Sequence, residues 1–396
     1  MMNTTTNTLE KKPASTLAPD RPLASTSMER PSESPGAPRR TGERKKIFVG
    51  FDLGTNASCV LAGPSDSRDT TVSKVIPTLV GYAREGLVDG IVANNATTLI
   101  GDDAINHRLQ MRVVAPLEDG IIAHREAAKD FVARVRSIID PSGAAEIRAV
   151  IGVPANAGNE AREDIRNCVA GAFDRVLLIP EPFLAALGFR EDSRIGQANY
   201  VDPVTNSLFI DIGGGTSDLC LIQGYFPSPE DQISLAFAGD AVDKLIEDDL
   251  QRTYPNNGLS RATVRQIKEE HSYVGPIRKP IDVKVLIGGK SHTLELGETI
   301  GRACNRLMEK IYPAVTALIS RASSESVAQL LQNIVVTGGG SRIRGFDTVL
   351  QQKLIEDGYE APRVRLAGPD YKRFVAVGAL KAARSAREDQ WQHLLA

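Results

Sequence analysis

Two short stretches of this 396-residue chain carry the residue types that grip phosphate. In FDLGTN, Phe51–Asn56, Asp52 is followed by Gly54, Thr55 and Asn56; in DIGGGTSD, Asp211–Asp218, Asp211 is followed by Gly213, Gly214, Gly215 and Thr216. Glycines let a backbone pass close to a ligand, and hydroxyl, amide and successive N–H groups donate to phosphate oxygens. Asp52 and Asp211 would repel bare phosphate, so the pair calls for a divalent cation, Mg²⁺ held partly through water. One such turn alone is a weak signal and is more readily an ordinary Gly-rich hairpin. Two with matching aspartates can hold a phosphate chain from both sides.

Competing phosphate motifs fail on spacing. Lys290 and Ser291 follow Gly289, but Lys284 stands where a Walker A motif needs its first glycine. Gly338, Gly339 and Gly340 lack the third glycine of a dinucleotide fingerprint. With Ser341 and Arg342 they form a turn after an apolar strand, suited to opening a helix beneath an adenine and ribose. Cys59, Cys168, Cys220 and Cys304 lie too far apart for a zinc pair or a disulfide framework and are read as small apolar residues. The five histidines show no metal spacing, and the lone Trp391 is read as a packing residue.

The elements that must position these turns repeat. FVGFDLGTNASCVL at Phe48–Leu61 and LFIDIGGGTSDLCL at Leu208–Leu221 are both strand, Asp, Gly/Thr turn and second strand, about 160 residues apart. That spacing predicts a duplicated α/β domain rather than a short-period solenoid. Between the copies, Phe131, Val132, Val135, Ile138 and Ile139 share one face of a helix expected over Glu126–Ile139. A strand at Ala149–Pro154, a helix over Asn159–Ala172, a strand at Val176–Pro180 and a helix beginning near Pro182 follow in βαβα order. The second half predicts helices near Asp240–Thr253 and Ala262–His271, a hairpin at Ile281–Leu296, a long helix around Ile300–Ile319, a strand before Gly338 and a last apolar stretch at Phe374–Ala383.

Length gives two to three domains. Forty-seven basic against 49 acidic residues, a net charge of −2, argue against attraction of the whole protein to nucleic acid or anionic membrane. No apolar run is long enough for a transmembrane segment, no secretory signal opens the chain, and a cytoplasmic location is expected. Residues 1–45 are rich in Ser, Thr, Pro and charge, with almost nothing to bury, and are expected to form a disordered tail of net charge about +3.

Taken with TGGGSRIRG at Thr337–Gly345, the two phosphate motifs stand in the order of the actin and heat-shock-chaperone ATPase superfamily. The chain resembles its bacterial actins, of the MreB and MamK type, over about residues 46–383. VIGVPA at Val150–Ala155, PEPFLAALG at Pro180–Gly188, PSPEDQISLAFAGDAVD at Pro227–Asp243 and LQNIVVTGGGSRIRG at Leu331–Gly345 bring it nearest to MamK. The resemblance implies a duplicated actin-like (ribonuclease H-like) ATPase fold with two lobes around a nucleotide cleft. Lobe I would span 46–195, with a small subdomain at about 81–116. Lobe II would span 206–370, with a small subdomain at about 233–298, and 371–396 would be a C-terminal helix returning to lobe I.

The same resemblance implies ATP and Mg²⁺ as cofactors. Glu181 would lie close to the attacking water and orient it or accept its proton, and Asp211 would hold the Mg²⁺ shell. IKEEHSYVG at Ile267–Gly275 resembles the nucleotide-contacting helix of actins, in which Lys268 and Glu269 would reach the ribose and base. Asp218 either positions water or metal or makes a strand-end hydrogen bond. The implied protein is an ATP-hydrolysing cytoskeletal actin whose partner is itself, in a head-to-tail filament. By likeness to MamK it would position an organelle such as a magnetosome chain, with organelle or membrane-adaptor proteins engaged through the tail. Alternatives on the same fold are an MreB-like cell-shape filament, a chaperone-type nucleotide switch, disfavoured because the chain stops soon after Ala383, and a small-molecule kinase, for which no acceptor-binding segment is evident.

Overall fold

The computed structural model describes residues 44–393 apart from 199, 278 and 279, so the expected tail lies outside the described residues except for its last two. In the first half the elements run β1 (Lys46–Asp52), β2 (Ala57–Pro64), β3 (Val72–Pro77), β4 (Val80–Ala83), β5 (Thr98–Ile100), α1 (Gly101–Asn106), β6 (Met111–Val114), β7 (Leu117–Glu118), β8 (Ile121–Ile122), α2 (Arg125–Ile139), β9 (Glu146–Val153), α3 (Asn159–Val169), β10 (Arg175–Pro180) and α4 (Glu181–Phe189). The second half runs β11 (Ser207–Ile212), β12 (Ser217–Ile222), β13 (Gln232–Leu235), α5 (Gly239–Thr253), α6 (Arg261–His271), β14 (Asp282–Ile287), β15 (Lys290–Glu295), α7 (Gly297–Ile319), α8 (Val327–Leu331), β16 (Ile334–Thr337), α9 (Phe346–Glu356) and β17 (Val364–Leu366). Then come α10 (Tyr371–Ser385) and β18 (Gln392–His393).

Two sheets are built on one plan. In the first, of order β18-β10-β9-β1-β2-β3, the apolar run of β1 pairs antiparallel with β2, setting Asp52 opposite Cys59, and parallel with β9. In the second, of order β13-β12-β11-β16-β17, β11 pairs antiparallel with β12, setting Asp211 opposite Asp218, and parallel with β16, where Asp211 adjoins Thr337. The repeated motif is therefore a repeated hairpin beside a parallel strand, and each hairpin turn emerges where the parallel strands end. A three-stranded sheet, β5-β4-β6, with α1, and the hairpins β7-β8 and β14-β15 are added around these cores.

Helical periodicity located α2 well, because its apolar stripe of Phe131, Val132, Val135 and Ile139 is wholly buried under the first sheet. The expected helix over Asn159–Ala172 stops at Val169, and Gly171 has a φ of 81°, a left-handed geometry that ends a helix. Between the sheets lies a separate apolar layer of Val150, Leu184, Phe209, Val335 and Ala379, contributed largely by α4 and α10. These two helices touch backbone to backbone: a Cβ on Gly378 would run into the Leu184 carbonyl, and one on Gly188 into the Phe374 carbonyl.

The expected C-terminal helix over 371–396 ends at Ser385. A turn at Glu388–Gln390 follows, and β18 adds a strand antiparallel to β10, matching Val176 with Gln392. Trp391 is buried there and stacks on Phe48 with ring centroids 6.1 Å apart. Glu388 bridges the guanidinium groups of Arg148 and Arg175. The four cysteines are free and buried, as expected of small apolar residues. Among the described residues no helix is long and apolar enough to cross a membrane.

Candidate functional site

The two hairpin turns face each other with their aspartates at the floor. Burial, and then the charge of Asp211, push the Asp52 carboxyl up to about 8; burial and Asp218 push Asp211 up to about 7. Glu181, the first residue of α4, is held well above the carboxylate range by burial and then by Asp52, Asp218 and Asp211. Among the described residues no Lys or Arg offsets any of these three. A half-buried set of acids without a cationic partner favours whatever brings positive charge, and hard oxygen donors of this kind suit Mg²⁺. Among the described residues no three His, Cys, Asp or Glu side chains converge as a metal site. Asp52 and Asp211 are the side chains that could hold such a cation, and the remaining ligands would be water or substrate oxygens.

The turns themselves are braced from behind. Thr78 donates from its hydroxyl to the Gly54 carbonyl at 2.7 Å and from its N–H to the Asn56 carbonyl at 3.1 Å. The Gly213 N–H donates to the Thr216 carbonyl at 2.9 Å, closing the second turn. Among the described residues the N–H groups of Gly54, Thr55, Gly214 and Gly215 have no backbone partner, the condition under which successive amides cradle an anion. The tip of the β7-β8 hairpin, Asp119-Gly120, closes over both turns. Gly120 N–H donates to Thr55 Oγ1 at 3.0 Å, and a Cβ on Gly215 would fall 2.6 Å from Asp119 Cα.

The third motif is equally tight. Gly338 has a φ of 73°, and a Cβ there would collide with Asp211 Oδ1 and the Ile212 carbonyl, so only glycine lets this turn approach Asp211. Gly339–Arg342 form a short 3₁₀ turn, Gly340 and Ser341 are buried, Ser341 Oγ donates to the Gly338 carbonyl at 2.7 Å, and Arg342 is exposed. Thr337 Oγ1, beside Asp211 in the ladder, is buried with no hydrogen-bond partner among the described residues. Glu181 has room because its neighbour in β9 is Gly152, where a Cβ would sit 2.9 Å from Glu181 Cγ.

Several side chains are committed within the protein. Asp218 accepts from the Ala155 N–H at 2.9 Å, across from the end of β9. Of its two readings the hydrogen-bonding one is therefore present. Asn56 donates its amide to Asp240 at 3.0 Å. Lys268 holds the Gly239 carbonyl at 2.8 Å and the buried Asp243 carboxylate at 2.8 Å, while Glu269 is exposed. Thr78, Asp119, Gly120 and Asp240 were missed in the sequence. The Asp-Gly pair at 119–120 is a hairpin signal that could have been used; Thr78 has none.

The profile of the MreB/Mbl protein family matches residues 46–364. The chain is 29% identical over 356 residues to the actin-like protein MamK of Paramagnetospirillum magneticum, covering 89% of this chain and 96% of that protein. Among solved structures it is similar to the MamK double helical filament, with a TM-score of 0.76 and 29% identity over 86% of this chain and all of that one. It is also similar to a non-polymerising MamK mutant bound to AMPPNP, with a TM-score of 0.60, 29% identity and coverage of 86% and 99%. The repeated hairpins, the paired acids and these likenesses agree: the chain belongs to the MreB/Mbl family of bacterial actins, filament-forming proteins with a two-lobed actin-like fold.

Proposed function

We propose that this chain binds Mg²⁺-ATP between its lobes, hydrolyses it, and assembles head to tail into cytoplasmic cytoskeletal filaments. The observation that carries this is the half-buried pair Asp52 and Asp211, with no Lys or Arg paired to either among the described residues and flanked by turns with open N–H groups. The AMPPNP in the similar MamK structure and the filament form of the other support it.

Asp52 and Asp211 would hold the cation, Asp211 through its water shell. Bound there, Mg²⁺ would neutralise carboxylate and phosphate charge and polarise the terminal phosphate. The N–H groups of Gly54, Thr55, Gly214 and Gly215 donate to phosphate oxygens, and the Gly338–Arg342 turn lies under the adenosine. Glu181 would orient the attacking water in line and, once the bound cation lets it ionise, accept its proton. Contacts that do not close into a ring give open filaments. Organelle positioning is favoured for the cellular role by the MamK likeness over most of the chain, with adaptors engaged through the tail; the MreB/Mbl profile favours cell-shape control as the second reading.

Calorimetry of the purified protein with Mg²⁺ and ATP, with pelleting and phosphate release measured alongside, tests the proposal. ATP uptake and ATP-dependent pelleting are expected, and Glu181→Ala should slow phosphate release about 100-fold or more while leaving ATP affinity within a few-fold. Folded protein that takes up no adenine nucleotide would overturn it.

A further inference from the structure

We infer that Asn56 and Asp240 form a latch that holds the two lobes shut, Asp240 being a positioning residue that retains the nucleotide; the nucleotide part rests on the function proposed above. Asn56 lies in the turn between β1 and β2, and Asp240 is the second residue of α5, in the other half of the molecule. Asn56 Nδ2 donates to Asp240 Oδ1 at 3.0 Å. The amide lies directly across the second phosphate turn, since any Cβ on Gly214 would collide with it.

Asp240 is fixed from three directions. Its N–H donates to the Gly214 carbonyl at 2.8 Å, so its backbone moves with the second phosphate turn. Its Oδ1 also accepts from Arg265 Nη2 at 2.8 Å, and Arg265 Nε donates onward to Asp243 Oδ2 at 3.2 Å. Asp243 in turn pairs with Lys268, which holds the Gly239 carbonyl. One polar chain therefore runs from the first turn, over the second, into α6. A hydrogen bond of this kind is lost once donor and acceptor separate by much more than about half an ångström. Any parting of the lobes breaks it, so the bond exists only in the shut arrangement.

The residue types suit this use. A neutral donor is needed at 56, because Asp119 is also close enough to Asp240 for their charges to repel. A carboxylate at 56 would meet a second carboxylate across the cleft and force it open.

The test compares the wild type with Asn56→Asp, Asn56→Ala, Asp240→Asn and the reciprocal double variant Asn56→Asp/Asp240→Asn. Release of a fluorescent ATP analogue in Mg²⁺ is followed by stopped flow, and thermal midpoints are taken without nucleotide. A hydrogen bond to a charged group implies about tenfold faster release from Asn56→Asp and Asn56→Ala. In the double variant amide and carboxylate exchange places, and release should return to within about threefold of the wild type. Release from the single variants at the wild-type rate, or a double variant no slower than Asn56→Asp, would overturn the latch. If the wild type takes up no nucleotide, the proposed function falls instead. The latch then stands or falls on the midpoints: positions 56 and 240 must be non-additive, and additive midpoints overturn it.

Discussion

Asp52 is a carboxylic acid that the fold keeps from ionising freely. A carboxyl raised from 3.8 to about 8 retains a proton that the unfolded chain has given up, and Asp211 does the same up to about 7. Their contribution to stability is therefore complete below about pH 4 and is lost as pH rises through 7 and 8. In the absence of nucleotide and divalent cation, the melting midpoint should fall between pH 6 and pH 8. Asp52→Asn should raise the midpoint at pH 8 by about 2–4 °C and flatten the profile; a wild-type midpoint independent of pH over that range would contradict an acid pair held in its protonated form. At this scale the motif residues were legible because glycine, threonine and aspartate in a fixed order have a chemical reason to be together. What could not be read was the partner of each side chain. Asn56 and Lys268 are the types that donate to phosphate or ribose, yet their amide and ammonium are committed to Asp240 and Asp243. Those partners come from 184 residues away in one case and from the next helix in the other.

Elements were legible where their period was long. α2 and α7 announced themselves through a stripe of apolar residues, and β1 and β11 through uninterrupted apolar runs. The hairpin β7-β8, two residues to a strand, carries no period, and its placement over both phosphate turns emerges only in three dimensions. For Phe374–Ala383 it was the family resemblance that implied a helix, because short apolar runs rich in alanine and glycine do not choose between strand and helix by pattern. The structure makes it α10 and explains Gly378, whose missing side chain lets α10 press on the α4 backbone. Gly378→Ala should cost about 1–3 kcal/mol by overpacking, read as a lower urea midpoint with an unchanged slope. Because α4 begins with Glu181, the same substitution should also slow phosphate release. A stability equal to the wild type would mean that the two helices can part without penalty.

For the whole molecule, duplication was the most legible property, and the route of the chain after Ser385 the least. Nothing in the order Arg387 to His393 marks a strand, since β18 exists only because β10 offers an open edge. Trp391 is the one tryptophan, so its fluorescence reports that docking alone. The Arg148 and Arg175 guanidinium groups hold the Glu388 carboxyl down to about 2, from an ordinary value of 4.5. Its contribution is therefore present above pH 4.5 and is lost only as pH falls through 2. Trp391 emission should stay blue-shifted from pH 7 to pH 4 while the protein remains folded, and Glu388→Gln, which has no charge to lose, should shift it to the red throughout that range; identical emission in the two proteins would show that the ion pairs do not hold the strand. The same docking bears on how cells are imaged. A fluorescent reporter inserted beside β18 would pull on a strand of the first sheet, whereas the exposed Gly288–Gly289 bend of the β14-β15 hairpin offers open space for a label.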